Sequence, residues 1–250
     1  ILSILSNIGI LFALKYVNFF INTINGIASG SDKFIPIGNV SFLIPLGISY
    51  YSLSLISYAA DVYFETAHIQ RNPLKLALYG MYFPAMVSGP IMRYRVDGEQ
   101  FFESHSFDYN KVTRGMQRML WGFFQKLVIA ERMGTIVDTI YGSYEKYPGA
   151  YIWLGTVCFA FQLYTDFSGC MDIVLGMSES FGLTLPENFD RPFFSQTVAE
   201  YWRRWHISLG VWMKEYVFYP ILRSKFFMNQ AKRFRKRFGK KVGKQLNTFL

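Results

Sequence analysis

Four stretches of this chain carry no formal charge over lengths close to that needed to cross a lipid bilayer. They are residues 16–31, 34–60, 76–92 and 147–165, which contain 16, 27, 17 and 19 residues respectively. A helix of about 20 apolar residues crosses the hydrocarbon core. The recurrence of such stretches predicts an all-α, polytopic integral membrane protein, and it disfavours the alternative of a large soluble core made of buried helices.

The stretch 76–92 cannot form one regular helix. It contains Pro84, Gly89 and Pro90, and a proline inside a helix removes a backbone donor and clashes with the preceding turn. Irregular backbone at membrane depth is tolerated only where it is packed in protein or lines a cavity. We therefore expect a multi-helix bundle with broken or re-entrant segments, in which Arg93, directly after the break, partners a negative group.

The other elements are predicted from composition and periodicity. Lys15 either snorkels or ends the first helix. Residues 42–62 are predicted to form a span and residues 116–141 an amphipathic helix. Connecting segments are expected at residues 25–39 and 96–114, which are rich in polar and turn residues.

The net charge of +9 comes from the C-terminal part of the chain. Ten Lys or Arg and no acid lie from Arg223 onward, and apolar residues recur there at helical spacing: Phe227, Ala231, Phe234, Phe238 and Val242. Such a basic amphipathic helix binds an anionic membrane surface, and the positive-inside rule places it in the cytoplasm. We predict that residues 223–244 form this segment; nucleic-acid binding is the alternative, and no nucleic acid is expected as a partner.

Residues 192–220 read PFFSQTVAEYWRRWHISLGVWMKEYVFYP and hold three Trp and one of only three His. Thr197 followed by Glu200 is a capping box, so a helix is predicted to begin near Val198. Glu200 can also reach Arg204 one turn on. At 100° per residue one face of a continuous helix would carry Trp202, Trp205, His206, Leu209, Trp212, Met213 and Tyr216.

From residue types alone, His206 fits either a hydrogen-bonded core histidine, the commoner case, or a functional group. Asp166 and Asp172 bracket Ser168 and Gly169 in another apolar region. Carboxylates at such depth are costly and usually paired, so both are interpreted as partners of buried cations, with lining of a route through the membrane as the alternative. The two cysteines, Cys158 and Cys170, do not have metal-ligand spacing, and no metal site is predicted.

The tract WRRWHISLGVWMKEYVFYP resembles the signature of the membrane-bound O-acyltransferase family, in the bacterial branch of alginate O-acetylases and teichoic acid D-alanyltransferases. The tracts IPLGISYYSLSLISYAADVY and SGPIMRY are also similar to that branch, and residues 161–176 and 186–220 resemble it closely. The resemblance implies a single membrane-embedded domain over residues 1–250. Because the chain starts without Met inside an apolar run and ends as it turns apolar again, we expect this domain to be incomplete at both ends.

The resemblance implies an O-acyltransferase that moves an acyl group, expected to be acetyl, to hydroxyls of a cell-envelope polysaccharide, as in alginate biosynthesis. His206 matches the motif histidine and is the candidate catalytic residue, and an imidazole titrates near neutrality. Candidates on the substrate and donor side are Arg203, Arg204, Trp205, Asp166 and Arg93. An arginine suits the stabilisation of an oxyanion, and Arg203 and Arg204 either bind the phosphates of the donor or pair with Glu200 or Asp190. Nothing here matches the family's second histidine, so these 250 residues alone are expected to be inactive.

The same resemblance implies the partners. No bound cofactor is expected, and the acyl donor would be a co-substrate such as acetyl-CoA or an acyl carrier protein. A multi-pass protein of the bacterial cytoplasmic membrane would meet the lipid bilayer, the polysaccharide and an extracytoplasmic acyltransferase partner protein. Two alternatives remain: D-alanyl transfer from a carrier protein to teichoic acid, and a non-enzymatic membrane transporter or lipid-binding scaffold in which Asp166, Asp172 and Arg93 line a pathway.

Overall fold

The computed structural model describes residues 2–28, 36–230 and 232–233, and it is mostly helical. Within these ranges the only β-type pairing is one isolated antiparallel bridge between Phe189 and Trp205. The all-α prediction is therefore confirmed at the level of secondary structure. The chain forms two compact units, Ile1–Ser208 and Leu209–Leu250, and the expectation of one membrane-embedded domain stays a prediction.

The chain starts with helices α1 (Leu2–Lys15) and α2 (Val17–Ala28). Helix α1 ends at Lys15, one of the two roles predicted for this lysine. Among the described residues no single helix meets the length and hydropathy expected of a membrane span, but α1 and α2, bent by 56°, meet them together. Neither helix buries a residue, so both present apolar surface outward.

Two asparagines of α2 hold the chain that follows. Asn18 bonds to both backbone groups of Val40 (2.8 and 2.9 Å), and Asn25 does the same for Ile37 (2.8 and 2.9 Å). Seven helical residues rise about 10.5 Å, and three extended residues span about 10 Å, so this segment runs extended and antiparallel to α2. The predicted span over residues 42–62 is wrong in its first part, because the helix begins only at Ile48, after Gly47 with its left-handed φ of 73°.

Helix α3 (Ile48–Tyr63) follows, and then three short helices, α4 (Pro73–Gly80), α5 (Phe83–Met86) and α6 (Tyr94–Asp97). The chain between α5 and α6 is not helical, which confirms the break predicted from the prolines. A core of ten buried residues joins these elements to the long helix described next: Tyr79, Tyr82, Ala85, Met92, Tyr94, Met171, Val174, Leu175, Leu183 and Leu185.

A long helical hairpin forms the largest part of the fold. Its first arm consists of α7 (Tyr109–Phe123), a π-helix (Phe124–Ala130) and α8 (Glu131–Tyr141), and its second arm is α9 (Gly149–Ser180). The first arm begins at Tyr109 and not at the predicted Met116, because Asp108 Oδ1 accepts the N–H groups of Asn110 (2.9 Å) and Lys111 (3.2 Å) and so caps the helix. The predicted stretch 147–165 lies in α9 from Gly149 onward, and the 32 residues of α9 rise about 48 Å.

Three further helices complete the described chain: α10 (Val198–Arg204), α11 (Ile207–Trp212) and α12 (Tyr219–Leu222), with a π-helix at Met213–Phe218 between the last two. Residues 225–230 are helical. Most of the predicted basic segment 223–244, from 234 onward and at 231, lies outside the described residues, so its amphipathic character stays a prediction.

Candidate active site

Helix α10 begins where the capping box predicted. Thr197 Oγ1 accepts the N–H of Glu200 (3.1 Å), and Glu200 Oε2 accepts the N–H of Gln196 (2.9 Å). The carboxylate therefore satisfies the residue before the cap and not the cap itself. The bond from Gln196, supported by the charge of Arg204, lowers the pKa of the Glu200 carboxyl from its ordinary value.

The predicted continuous helix through His206 is wrong, because the helix ends at Arg204. Trp205 is extended (φ −107°, ψ 128°), and His206 has the left-handed φ of 46° before α11 starts at Ile207. A left-handed conformation costs a residue with a Cβ about 1–2 kcal/mol. Such strain persists only where surrounding contacts impose it, and it clusters at functional sites.

The contacts that impose the break come from residues 188–190. The Ile207 N–H donates to the carbonyl of Asn188 (3.0 Å), and the Asp190 N–H donates to the carbonyl of Arg204 (3.0 Å). Phe189 and Trp205 form the antiparallel bridge between these bonds. The backbone on both sides of His206 is thus paired with a second segment of the chain.

Aromatic rings surround the break. Trp205 stacks on Tyr201 (centroids 5.6 Å apart, interplanar angle 15°) and meets Phe189 edge-to-face (5.0 Å). The imidazole of His206 meets Phe167 edge-to-face (4.9 Å), and Phe167 also contacts Phe189 (5.1 Å). The aromatic surroundings expected from the sequence are present, but α9 and the 188–190 segment supply the rings next to the imidazole.

Burial sets the protonation of His206. It lowers the pKa of the imidazole from its ordinary value, so the ring is neutral at neutral pH. Nδ1 is sealed from solvent and has no hydrogen-bond partner among the described residues. A proton on Nδ1 would be buried without an acceptor, and orphaned buried N–H groups are rarer than unpaired acceptors. We therefore assign the proton of the neutral ring to Nε2.

The two arginines that precede His206 in the sequence, Arg203 and Arg204, have different surroundings. Arg204 is paired with Glu200 (2.7 Å), the pairing expected from the i,i+4 spacing. Arg203 lies in the last turn of α10 with its side chain exposed. Of the two, Arg203 is the one available to an incoming anionic group.

A cavity of about 890 Å³ opens between the helical hairpin and residues 187–194. Its aromatic lining consists of Trp121, Phe161, Tyr164, Phe189, Phe193 and Phe194. At its polar end Arg118 Nε contacts Asp172 (2.9 Å), and the two terminal nitrogens of Arg118 form a bidentate pair with Glu187 (2.8 and 2.6 Å). Gln125 also donates to Asp172 (2.7 Å). Burial alone would lower the pKa of Arg118, but the bonds and charge of Glu187 and Asp172 outweigh it and raise the pKa.

Asp166 and Arg93 are the remaining predicted residues. Asp166 is paired with Lys126 of the π-helix, so Asp166 and Asp172 both have cationic partners, although neither cation is buried as expected. Arg93 is the N-cap of α6, and its backbone N–H donates to Asp97 (2.8 Å). Burial raises the pKa of the Asp97 carboxyl, which this bond and the charge of Arg93 partly oppose.

Sequence reasoning missed Asn188, Arg118, Gln125 and Glu187. Asn188 and Glu187 lie in a turn-rich link where polar residues are ordinary. The shared position of Arg118 and Gln125 was predictable, because they are seven residues apart and so lie on one face of the amphipathic helix. Opposite them α9 supplies Asp172, which was predicted to need a cation.

Comparison with known proteins agrees with the resemblance described from the sequence. The model of the membrane-bound O-acyltransferase family matches residues 39–234. The chain is 35% identical over 219 residues to a Pseudomonas syringae protein named "probable alginate O-acetylase", and the match covers 87% of this chain and 42% of the relative.

Two more distant relatives are named for other activities. A peptidoglycan O-acetyltransferase of Helicobacter pylori is 29% identical over 247 residues (88% of this chain, 46% of the relative). A teichoic acid D-alanyltransferase of Bacillus subtilis is 32% identical over 195 residues (75% and 47%). The chain thus spans less than half the length of these relatives.

Proposed function

The chain belongs to the membrane-bound O-acyltransferase family, and on that premise we propose that the protein transfers an acyl group to hydroxyls of a cell-envelope polysaccharide. Acetyl is the proposed group, because the O-acetylases are similar to this chain over more of its length than the D-alanyltransferase. Alginate is the proposed acceptor, after the relative with the highest of the three identities.

The observation that carries this proposal is the geometry of His206. A neutral, half-buried imidazole lies on a strained helix break, and its Nδ1 is sealed from solvent. We propose that Nε2–H donates a hydrogen bond to the carbonyl oxygen of the acyl donor. Preorganised donors of this kind stabilise the negative charge that develops on that oxygen during acyl transfer.

Arg203 and Trp205 are proposed to bind the donor. Acetyl-CoA and acyl carrier proteins both present the acyl group on a phosphate-bearing arm, and Arg203 is an exposed cation three residues before His206. Arg204 is proposed to hold α10 through Glu200. Asp166 and Arg93 are proposed to support the site through their partners and not to touch the reacting atoms.

The fold proposed for the complete protein is a multi-pass helical bundle with broken segments in the bacterial cytoplasmic membrane. Apolar side chains exposed on α1 and α2, among them Leu5, Ile8 and Phe19 (60%, 49% and 64% exposed), fit contact with lipid. Transfer to a polymer outside the membrane also requires a route for the acyl group. We propose that an extracytoplasmic acyltransferase completes it.

The test is O-acetylation of the polysaccharide in cells that carry the full-length protein as their only copy. His206→Ala is expected to abolish the acetyl ester content while the protein still accumulates in the membrane fraction. His68→Ala, an exposed histidine in the α3–α4 connection, is the matched control and should keep wild-type acetylation. Acetylation at the wild-type level in His206→Ala would remove this residue from the reaction.

The B. subtilis relative favours one second candidate, transfer of D-alanine to teichoic acid. Feeding cells with labelled acetate or labelled D-alanine distinguishes the two. Label from acetate in the envelope polymer, dependent on His206, supports O-acetylation. Label from D-alanine with the same dependence would replace it with D-alanylation.

A further inference from the structure

Asn188 joins the two sides of the helix break at His206. The residue is completely buried (0% exposed). Its backbone carbonyl accepts the Ile207 N–H (3.0 Å), and its Oδ1 accepts the Ser208 N–H (2.9 Å). Its Nδ2 donates to the sulfur of Met171 in α9 (2.9 Å). The backbone carbonyl, Oδ1 and Nδ2 of Asn188 therefore each form a hydrogen bond.

The two bonds that Asn188 accepts cap the start of a helix. The first N–H groups of a helix have no acceptor within the helix, and a side-chain oxygen of the N-cap residue usually supplies one. In α11 the N-cap position belongs to His206, while the acceptors for Ile207 and Ser208 come from Asn188, far upstream in the chain. Asn188 thus allows a new helix to start directly after His206.

The hydrogen bonds of Asn188 and Ser208 also connect the helix break at His206 to α9 and to the chain after Pro90. Met171 lies one turn of α9 after Phe167, the ring that contacts the imidazole. Ser208 Oγ accepts the N–H of Ile91, just beyond the proline-broken segment (3.0 Å). The backbone of His206 and the ring against which it packs are therefore held by one buried residue and its neighbours.

We propose that Asn188 is a positioning residue for acyl transfer, which fixes the left-handed backbone of His206 and so directs the imidazole toward the reacting carbonyl. The proposal rests on the proposed function of His206. Without the side-chain acceptor of Asn188, only backbone bonds hold the break, and α10 and α11 can then join into one helix. His206 would then take a φ near −63°, and its side chain would turn away from Phe167.

The experiment compares Asn188→Ala with Asn72→Ala in the full-length protein in membranes. Asn72 is an exposed N-cap whose Oδ1 accepts the N–H of Leu74 (2.9 Å) and Lys75 (3.4 Å) at the start of α4. Both variants lose a side-chain helix cap, but only the cap lost in Asn188→Ala lies next to His206, where the backbone bond of Ile207 remains. The readouts are kcat and KM for acyl transfer and the rate at which diethyl pyrocarbonate modifies His206, measured by mass spectrometry relative to the exposed His68.

Asn188→Ala is expected to lower kcat strongly with KM for the donor little changed, since misplacing a catalytic group by 1 Å can cost about 10²-fold. His206 is expected to be modified several-fold faster, because the imidazole leaves its aromatic surroundings. Asn72→Ala should leave both readouts at wild-type values. Met171→Leu, a swap that conserves volume and is usually tolerated in cores, should shift both in the same direction as Asn188→Ala by less.

The outcomes separate this proposal from the one on which it rests. Wild-type turnover and modification rates in Asn188→Ala would overturn the positioning role. If Asn188→Ala does not accumulate, unchanged values in Met171→Leu would overturn it equally. If the wild-type protein transfers no acyl group while Asn188→Ala still exposes His206 to the reagent, the proposed function fails and the positioning of the imidazole stands.

Discussion

Gly122 of α7 and Gly169 of α9 face each other so closely that neither position has room for a Cβ. A Cβ on Gly122 would lie 2.6 Å from the carbonyl oxygen of Gly169, and a Cβ on Gly169 would lie 2.7 Å from that of Gly122. Gly115 and Gly176 make the same reciprocal contact seven residues away along both helices. Small residues allow helix backbones to approach in this way, and the approach places Arg118 against Asp172 between the two glycine pairs.

We predict that Gly122→Val destabilises the hairpin by about 1–3 kcal/mol, the usual cost of overpacking. The obstructing atoms belong to the backbone of α9 and cannot rotate away. Thermal denaturation of the purified full-length protein in detergent measures the effect. Gly149→Ala is the control, because a Cβ at the start of α9 meets nothing within 4 Å. Equal melting temperatures for the two variants would contradict the close approach.

Arg118→Ala is predicted to lower the free energy of unfolding by about 1–3 kcal/mol, because it leaves the partly buried Asp172 with Gln125 alone. Arg114→Ala, one turn earlier, removes a single bond to Glu179 from an arginine that is 61% exposed. Exposed pairs contribute about 0–1 kcal/mol, so this control should change little. Chemical denaturation of both variants checks the difference, and similar losses would show that the Arg118 network adds nothing beyond a surface pair.

Residues that act through local chemistry were readable from the sequence, and those that act through distant contacts were not. The prolines at 84 and 90 predicted the broken segment, and Thr197 with Glu200 predicted the start of α10, because caps and prolines act on their own turn. The break at His206 had no local signal: WRRWHIS contains neither Pro nor Gly, and its periodicity suits a helix. The bonds that hold the break come from residues 188–190, among them one from the buried amide of Asn188, and sequence spacing does not reveal such contacts.

The extended chain beside α2 was missed for the same reason. Asn18 looks like an ordinary polar residue of an apolar helix and Asn25 like part of a connecting segment, yet their amides bond to both backbone groups of Val40 and Ile37 respectively. The pairing follows from the three-dimensional path of the chain, so only a structure could reveal it.

Asn25→Leu is predicted to release the segment around Ile37, since it removes two hydrogen bonds to that backbone, each worth about 0.5–1.5 kcal/mol. Hydrogen exchange at residues 36–45 should become roughly tenfold faster or more. In the control Asn7→Leu only a bond to Ser3 within α1 is lost, and exchange in this segment should stay at the wild-type rate. Unchanged exchange in Asn25→Leu would mean that other contacts hold the segment.

The two roles open to His206 predict different substitution patterns. If the imidazole donates a hydrogen bond from Nε2, His206→Gln can replace part of that function, because the Gln amide is a donor of similar reach. If the imidazole takes up a proton, His206→Gln should be as inactive as His206→Ala, since an amide does not titrate. From the sealed Nδ1 we predict the first pattern. Removal of a donor costs about 10²–10³-fold in kcat, and Gln should recover at least about tenfold of the loss in His206→Ala.

The pH dependence of the rate tests the protonation state behind that prediction. Burial holds the pKa of His206 below its ordinary value of 6.5, so the wild-type rate should stay level as the pH falls from 8 to 6.5. It should decrease only below that value, because charging the ring puts a proton on the buried Nδ1. The stability of the fold is expected to change in the same direction. The unfolded chain binds this proton at a higher pH than the folded chain does, so the free energy of unfolding decreases as the pH drops below 6.5. His206→Gln should lack this acidic decline, and a wild-type rate that already falls between pH 8 and 6.5 would show that the imidazole is not held neutral.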